Sequence, residues 1–337
     1  MKQLQRKIND IMKLIEDGEY YILFNDGKAV RSHLPETIRV GIDSYYNTND
    51  FYKRNKTAFE EEVDLKVPFS SIIEINTDCE LKIIHLNDDI EYADYLIMVK
   101  KTIEAKIINL YYQVSNNFKT KVEIVCEEDA KLTFKNIGNC NQQTTSMINL
   151  FAMENSQIHI DDLAMNNQQL HKTINVFLLE EGIQFDMANV IINCSGTKQI
   201  YDYNVTHVMG NSTSNMLNFG IAKNNSELIF NCNGTIQKDA KASNLAQLSR
   251  GIILDPTSSI QANPILEIDE FDVMASHGAS IGAIDENDLY YLMSRGLTRK
   301  ESEDLMVKAF VQPFFRDLTS DAIVSYLMEK IETKLQE

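Results

Sequence analysis

Between about residues 66 and 275, short β-type segments follow one another with too little chain between most of them to form a helix. Parallel strands joined by helices need crossovers of a dozen or more residues. The spacing therefore excludes βαβ units and leaves a β-sandwich, a β-barrel or a β-solenoid. The predicted segments are 72–75, 81–86, 107–112, 122–126, 132–134, 158–160, 174–179, 190–192, 228–230 and 252–254.

A degenerate internal repeat favours the solenoid. CEEDAKLTF (126–134), AMENSQIHI (152–160) and LLEEGIQFD (178–186) each place a polar turn before an alternating strand, and their ends lie 26 residues apart. AKNNSELIF (222–230) has the same shape after a longer interval of 44 residues. Units with such a period stack on their neighbours to bury a shared core. One turn of a β-helix fits this length, so we predict a mainly β chain with a right-handed β-helix core.

Asn supplies the turns that such a coil needs. The chain has 31 Asn against 13 Gly. Asn tolerates the left-handed backbone conformation better than most residues that carry a Cβ, and its side chain bonds its own backbone. AT-rich codon usage also enriches Asn, and both explanations stay open.

The N-terminal region differs from the β-helix core. Apolar residues recur there at helical spacing, and Asn25-Asp26-Gly27 then predicts a β-hairpin. We therefore assign a small α/β region to residues 1–65, the β-helix core to 66–280 and a helical tail to 281–337. The apolar face of the first helix consists of Leu4, Ile8, Ile11, Met12 and Ile15, and Gly18 ends that helix.

The tail has readable helix ends. Asp285 is a good N-cap and Gly296 a good stop for its first helix, and Thr298 with Glu301 forms a capping box for the second. Pro313 is expected to kink or end the second helix. The expected apolar stripes are Leu305, Met306, Ala309 and Phe310 on the second helix, and Ile323, Val324, Leu327 and Ile331 on a last helix that begins near Ser320.

Composition excludes several functional classes. The net charge is −17 with no basic stripe, so neither nucleic acid nor an anionic membrane is an expected partner. The five Cys are scattered without a CxxC pair, which argues against a zinc module and a disulfide framework and fits a reducing compartment. The N-terminus does not resemble a signal peptide, and no run of 18 apolar residues occurs. We expect a cytoplasmic protein.

Motifs for catalysis are weak. The sequence has no GxxxxGK[ST], GxGxxG or GxSxG pattern. Two carboxylate pairs, Asp88-Asp89 and Asp161-Asp162, could bind Ca²⁺ and serve a β-helical carbohydrate-active enzyme. Neighbouring residues of a strand point to opposite faces, so we expect solvated turns instead.

The most informative stretch runs from residue 264 to 296. A strand-like run ends there in what we predict to be a compact loop, Ser276-His277-Gly278-Ala279-Ser280, followed by the first tail helix. His277 is one of six histidines, and its small neighbours would let a metal or another chain approach the imidazole. Capping of a turn is the simpler interpretation, and spacing alone favours it.

This stretch and its continuation resemble the C-terminal part of SufD-type members of the SufB/SufD family, the β-helical scaffold proteins of the SUF iron–sulfur cluster assembly system. Strong similarity spans about residues 243–316, whereas the β-helix region agrees only in pattern. The matching pieces are PILEI (264–268), Asp272-Val273, SHGAS (276–280), Gly282, Asp285-Glu286, LYYL (289–292) and SRG (294–296).

The resemblance implies a non-catalytic scaffold subunit. It would pair with a SufB-like subunit through the β-helix ends, and its tail would dock a SufC-like ATPase whose dimerisation rearranges that interface. A nascent cluster would form there, with His277 as a candidate iron or cluster ligand, since imidazole suits Fe²⁺. No cofactor is expected to bind stably.

The same resemblance makes four tail residues candidates for the partner interface: Tyr290, Tyr291, Arg295 and Phe310. The two tyrosines either face the ATPase or anchor their helix to the end of the solenoid. We favour anchoring, because aromatic stripes usually pack inward.

Two departures from the family pattern matter. SufD-type chains often carry Cys two residues before the His, where this chain has Ala275. SufB-type chains carry a sulfur-accepting Cys at the position of Leu248 and Glu beside the His, where this chain has Ser276 and Gly278. The chain thus resembles SufD more than SufB. Two other readings stay open: a homodimeric SufB/SufD-type scaffold, and the carbohydrate-active enzyme.

Overall fold

The computed structural model describes residues 2–41, 71–87, 92–114, 118–138 and 143–336 of the chain. The end of the predicted N-terminal region and the pair Asp88-Asp89 therefore lie outside the described residues. The strands are β1 (Tyr20–Asn25), β2 (Lys28–His33), β3 (Ile38–Gly41), β4 (Ser71–Ile75), β5 (Cys79–Asn87), β6 (Tyr92–Val99), β7 (Glu104–Val114), β8 (Phe118–Cys126), β9 (Lys131–Gly138), β10 (Gln143–Ala152), β11 (Gln157–Ala164), β12 (Leu170–Leu178), β13 (Gln184–Asn193), β14 (Lys198–His207), β15 (Thr213–Ala222), β16 (Glu227–Ile236), β17 (Asn244–Ile253), β18 (Ser259–Ile268) and β19 (Met274–Gly282).

These strands wind into a β-solenoid, as the internal repeat predicts. From β4 onward, consecutive strands alternate between two sheets, and each strand pairs in parallel with the strand two places away in sequence. The ten-stranded sheet has the order β19-β17-β15-β13-β11-β9-β7-β5-β1-β2, and the nine-stranded sheet has the order β18-β16-β14-β12-β10-β8-β6-β4-β3. One strand from each sheet makes one turn of the solenoid, here called a rung.

The N-terminal end of the solenoid is closed by antiparallel strands. β2 pairs with β1, and β3 pairs with β4. The β1–β2 connection has Asp26 at φ 48° and Gly27 at φ 73°, the pair of positive φ angles that a two-residue hairpin turn requires. The predicted hairpin at Asn25-Asp26-Gly27 is confirmed.

The sequence repeat corresponds to successive rungs, with one slip. Phe134 pairs with Ile160, as the interval of 26 residues predicts. Ile160 then pairs with Met187, so the predicted alignment on Asp186 is wrong by one residue. A slip of one residue exchanges inward and outward side chains, which is why an Asp cannot take that inward position. AKNNSELIF ends in β16 of the other sheet, which accounts for its longer interval.

Asn supplies many of the rung corners, as predicted. Asn155, Asn211, Asn224 and Asn225 all adopt positive φ angles between the strands. An Asn side chain makes this conformation less costly than other residues with a Cβ do. Most of the tight corners therefore use residues other than glycine.

Stacked apolar columns fill the interior. In one column of the nine-stranded sheet each residue lies directly on its counterpart in the next rung, and all are at most 1% exposed. Burial of each such side chain contributes on the order of 1.5–3 kcal/mol as an upper estimate. The column is Ile73, Ile97, Ile124, Leu150, Val176 and Val205.

A polar column runs through the same interior on the ten-stranded sheet. Asn109 donates to Asn136 at 2.8 Å, Asn136 donates to Asp162 at 2.7 Å, and Asn189 donates to Asn218 at 2.7 Å. All five side chains are at most 2% exposed. Amide groups suit this stacking because each one donates to one neighbour and accepts from the other.

The pair Asp161-Asp162 is buried and does not form the solvated turn that we predicted. Asp162 points into the interior, where Lys172 of the facing sheet forms an ion pair with it. Asp161 points outward, where it pairs with Lys135 beneath the tail helices. The two side chains do face opposite ways, but each side is covered. Neither carboxylate is open to a sugar, so this pair does not support the carbohydrate-active alternative.

The helices are α1 (Lys2–Ile11), α2 (Glu286–Ser294), α3 (Arg299–Phe315) and α4 (Asp321–Gln336), and α1 continues as a 3₁₀ turn at Met12–Leu14. The predicted caps are confirmed. Asp285 accepts from the backbone N–H of Asn287 at 2.8 Å. Glu301 N–H donates to Thr298 Oγ1, and Thr298 N–H donates to the Glu301 carboxylate.

Helices α1, α3 and α4 pack on the outer face of the ten-stranded sheet, around Leu163, Val190 and Ile221. The predicted stripe of α3 is partly wrong, because Leu305 and Ala309 are exposed. Apolar residues lie on most sides of this helix, so the way it docks on the sheet determines which of them are buried. The buried residues are Val307, Val311 and Phe314 on α3, and Ile323, Leu327 and Ile331 on α4. Helix α3 also continues two residues beyond Pro313.

Lysine side chains attach the tail to the solenoid. Lys135 donates to the carbonyl oxygen of Phe314 at 3.2 Å, and Lys223 donates to the carbonyl oxygen of Leu335 at 2.6 Å. Both carbonyls lie near helix C-termini, where a positive charge is favourable. Lys334 of α4 in turn donates to Asn167 and Ser195 of the solenoid. None of the helices in the described ranges is long and apolar enough to cross a bilayer.

Removing the cation of the interior ion pair should destabilise the fold strongly. We expect Lys172→Met to lower the free energy of unfolding by about 3–5 kcal/mol, because Asp162 is left as a buried unpaired charge. Adding Asp162→Asn should recover most of this loss, since an amide continues the column between Asn136 and Asn189. Urea unfolding measures both variants. A single variant within about 1 kcal/mol of the parent, well below the value for a broken buried pair, would contradict this assignment.

Two buried histidines predict acid sensitivity. Burial lowers the pKa of His85 and His207 from 6.5 to about 4, so both are neutral in the folded protein. The unfolded chain binds more protons between these values, so stability falls as the pH drops from 6.5 towards 4. In His207→Gln, whose amide can still meet Ser214, the fall should be smaller. Unfolding free energies measured across this range test it, and equal slopes would show that His207 is not responsible.

Candidate functional site

The C-terminal end of the solenoid is where the most informative sequence stretch lies. Residues 276–280 belong to β19, so the predicted compact loop is wrong. Small residues let this segment lie flat as a strand, and Gly278 pairs with Leu248 of β17. A Cβ at Gly278 would be 3.4 Å from Leu248 Cδ1, which is an ordinary contact. The interpretation of His277 as a turn cap is wrong for the same reason.

His277 stands at the mouth of the solenoid interior. It pairs with Gln247, whose side chain is buried and lies on the same face as buried Leu245 and Ser249. The register therefore directs His277 towards the interior side. No described strand follows β19 in its sheet, so the imidazole is exposed where the equivalent residues of earlier rungs are covered.

The buried thiol of Cys232 is held by hydrogen bonds inside the solenoid. Cys232 accepts from Asn218 Nδ2 at 3.1 Å and lies 3.8 Å from Ser249 Oγ. Burial raises the pKa of this thiol to about 11, which keeps it protonated at neutral pH. None of the described cysteines takes part in a disulfide, and Cys140 lies outside the described residues. Across the described part of the chain, no three His, Cys, Asp or Glu residues are grouped to hold a metal ion.

The last rung, residues 259–282, presents unpaired strand edges. β18 and β19 are the outermost strands of their sheets at this end. Their backbone groups on the outer edge can pair with a further strand. Large apolar side chains are exposed beside them: Phe271 is fully exposed, Met274 is 67% exposed, and Ile265 and Ile268 are partly exposed. We call residues 259–282 the terminal rung.

Helix α2 adjoins the terminal rung and carries the predicted tyrosines. Tyr290 is 75% exposed and Tyr291 58% exposed, so neither anchors the helix inward, and the favoured interpretation is wrong. Leu289 is the buried residue of α2. Arg295 donates to the Tyr291 hydroxyl at 3.2 Å and lies over its ring, which stiffens an exposed aromatic surface.

Phe310 has a different environment from the tyrosines. Its ring is partly buried on α3 and meets Phe219 edge to face, with ring centroids 5.3 Å apart. Such a pair helps to hold α3 on the ten-stranded sheet. A cleft of about 510 Å³ separates α2 and the start of α3 from the turn after β17. Arg299 closes one side of it with two hydrogen bonds to Glu286, at 2.9 and 2.6 Å.

Sequence reasoning missed the exposed apolar residues of the terminal rung. Ile265, Ile268 and Met274 lie in or beside strand patterns, where an apolar residue ordinarily predicts a buried position. The register places Ile265 and Met274 on the outer faces of their sheets, and Ile268 on the inward side at the open end. The one available signal was Phe271, which has acidic residues on both sides in Glu270 and Asp272.

Comparison with known proteins places these features in a family. The family model for the SufBD core domain of SUF system FeS cluster assembly matches residues 83–310. The iron-sulfur cluster assembly protein SufD of Bacillus subtilis is 26% identical over 272 residues, 78% of this chain and 62% of the relative. An iron-sulfur cluster assembly SufBD family protein of Staphylococcus epidermidis is 25% identical over 215 residues, 63% of this chain and 46% of the relative.

A SufBD family protein of Staphylococcus aureus gives the same values, 25% identity over 63% of this chain and 46% of the relative. The chain thus spans less than two thirds of the length of these relatives. The family model includes most of the solenoid, the terminal rung and α2. The chain belongs to the SufBD family of SUF iron–sulfur cluster assembly proteins.

Proposed function

We propose that this chain is a SufD-like, non-catalytic scaffold subunit that acts with a SufB-like subunit and a SufC-like ATPase. The open terminal rung carries this proposal, because a solenoid end with unpaired edges and exposed apolar side chains suits another β-helix. The solenoid pattern, the match to the SufBD core domain and the similarity to a protein named SufD all support it.

Strand addition supports the terminal rung as the subunit contact. An exposed strand edge binds a partner strand through main-chain hydrogen bonds, while neighbouring side chains give specificity. β2 at the other end of the ten-stranded sheet is lined by Lys28 and Arg31, which discourage edge pairing. β19 carries no charged residue. The two ends are therefore unequal, and the C-terminal end is the better docking surface.

The tail supports a second contact, with the ATPase. Tyr290 and Tyr291 form an exposed aromatic pair, and Arg295 beside them adds a residue type that is enriched at interfaces. Phe310 would act mainly by fixing α3 beneath this surface. The chain itself performs no catalysis in this proposal, and ATP hydrolysis belongs to the partner.

The SufD-like assignment rests on three positions. Leu248 cannot supply the thiolate that SufB-type chains carry there, and Ser276 and Gly278 flank His277 without a carboxylate. Ala275 departs from the SufD pattern and also offers no thiolate. His277 would give an imidazole to iron or to a nascent cluster, which is cargo of the assembly. Because β19 offers one such donor, the remaining ligands would come from the partner chain. A homodimer of this chain is the alternative outcome.

Co-purification tests the complex and the role of α2. The chain expressed with its genomic SufB-like and SufC-like neighbours should elute with both. Tyr290→Ala with Tyr291→Ala should weaken ATPase capture by roughly tenfold or more, as expected for central aromatic contacts, and leave the SufB-like subunit bound. Val30→Ala, an exposed apolar change on β2, is the matched control. Elution of the parent chain alone would refute the assembly.

His277→Ala should impair cluster maturation without unfolding the protein. The imidazole is exposed, so the change in unfolding free energy should stay within about 0.5 kcal/mol. Activity of iron–sulfur enzymes in cells that depend on this chain should fall. His171→Ala, an exposed histidine on the outer face of β12, is the control and should leave activity intact. Full activity with Ala at 277 would exclude the ligand role.

A further inference from the structure

The terminal rung carries acidic charge without any basic residue. Residues 259–282 contain four carboxylates and neither Lys nor Arg. Glu267 lies at the end of β18, and Asp269, Glu270 and Asp272 follow in the connection to β19. In the middle of the solenoid some carboxylates are paired with lysines, as in Lys101–Glu128 and Lys198–Glu227.

These carboxylates surround the exposed apolar residues. Glu267, Asp269 and Asp272 are exposed, and they alternate along the chain with Ile265, Ile268 and Phe271, which are exposed as well. Any strand that pairs with β18 or β19 must approach both sets. The apolar side chains and strand edges supply attraction, and the carboxylates decide which partners can come close.

Glu270 has a separate, structural task. Its carboxylate accepts the backbone N–H groups of Phe271, Asp272 and Asp239, at 2.8, 3.3 and 3.1 Å. These hydrogen bonds lower the pKa of Glu270 and keep its carboxylate charged, and the bond from the Phe271 N–H has the largest effect. The carboxylate is thus occupied in holding the β18–β19 connection, and the remaining three face outward.

A second copy of this chain meets this surface unfavourably. Two copies related by a two-fold axis bring the same patch together, so each terminal rung faces another without a cation. Lys238, Lys241 and Arg250 lie on the preceding rung, about one strand spacing of 4.8 Å further back, and Arg295 and Arg299 lie in the tail. The positive charge of Lys241 also lowers the pKa of Glu270 in the same chain.

We propose that the terminal rung selects its partner by charge: it disfavours a second copy of this chain and binds a β-solenoid end that carries Lys or Arg in its own terminal rung. This inference rests on the proposed scaffold function and adds the chemistry of the partner. It selects the heteromeric assembly over the homodimer.

Charge reversal makes such a partner from the chain itself. Glu267→Lys, Asp269→Lys and Asp272→Lys together change the formal charge of residues 259–282 from −4 to +2 and leave Glu270 to hold the connection. All three positions are exposed, and circular dichroism checks that the variant folds. The matched control changes three exposed acidic residues to Lys at positions distant in the sequence from the terminal rung, namely Asp17, Glu36 and Glu104.

Sedimentation equilibrium then compares the parent, the variant and an equimolar mixture. At about 50 mM NaCl, where screening is weak, the mixture should form a 1:1 complex at least tenfold tighter than either self-association. Raising NaCl to roughly 0.5 M should weaken the mixed complex and tighten parent self-association, because screening reduces both attraction and repulsion. The control triple mixed with the parent should behave like the parent alone.

A parent dimer at low salt that is as tight as the mixed complex would overturn the proposal, and so would a mixture that stays monomeric. Neither result depends on another protein. Failure here, with intact capture of the SufB-like subunit, would reject charge selection alone. Failure of that capture, with the mixed complex formed as expected, would reject the scaffold assignment alone.

Discussion

Parallel pairing of each strand with the next rung is the interaction on which the whole molecule depends. Every rung satisfies the backbone groups of the rung before it and leaves its own outer edge to be satisfied by the one after. Such a coil cannot end without a device for its last edge. At the N-terminal end, β2 and β3 turn antiparallel and close the sheets. At the C-terminal end no described strand does this, so the proposed docking surface follows from the same rule that builds the core.

The interior fixes the register that the edges require. Apolar columns alone tolerate some slippage, because Ile, Leu and Val can replace one another in a stack. The amide column from Asn109 to Asn218 and the pair Lys172–Asp162 allow far fewer arrangements, since each polar group needs its partner. They are also what places His277 on the inward side of β19, above Gln247. The polar columns of the interior therefore help to determine the geometry of the open end.

The ends of helices and turns were predictable from residues close by in the sequence. The features that could not be predicted depend on which residues the fold buries. The Asp285 cap, the Thr298–Glu301 box and the Asp26-Gly27 turn each depend on neighbours a few residues away, and all were predicted. Strands β10, β14 and β15 lay outside the predicted segments because polar residues interrupt their apolar pattern on the outer face. Asp161 and Asp162 were misjudged because their lysine partners come from other strands. The exposure of Tyr290 likewise depends on where the tail docks.

The anchored tail and the open end form one mechanical unit. Helices α3 and α4 are held by apolar packing and by the lysine bonds to Phe314 and Leu335, whereas α2 is held through Leu289 and the Arg299–Glu286 pair. Three residues, 283–285, join the end of β19 to α2. At about 3.5 Å per residue, this connection spans roughly 10 Å when fully extended and has little slack. In the proposed assembly, a partner bound to the tyrosines of α2 would therefore hold a helix that is joined directly to the edge strand carrying His277.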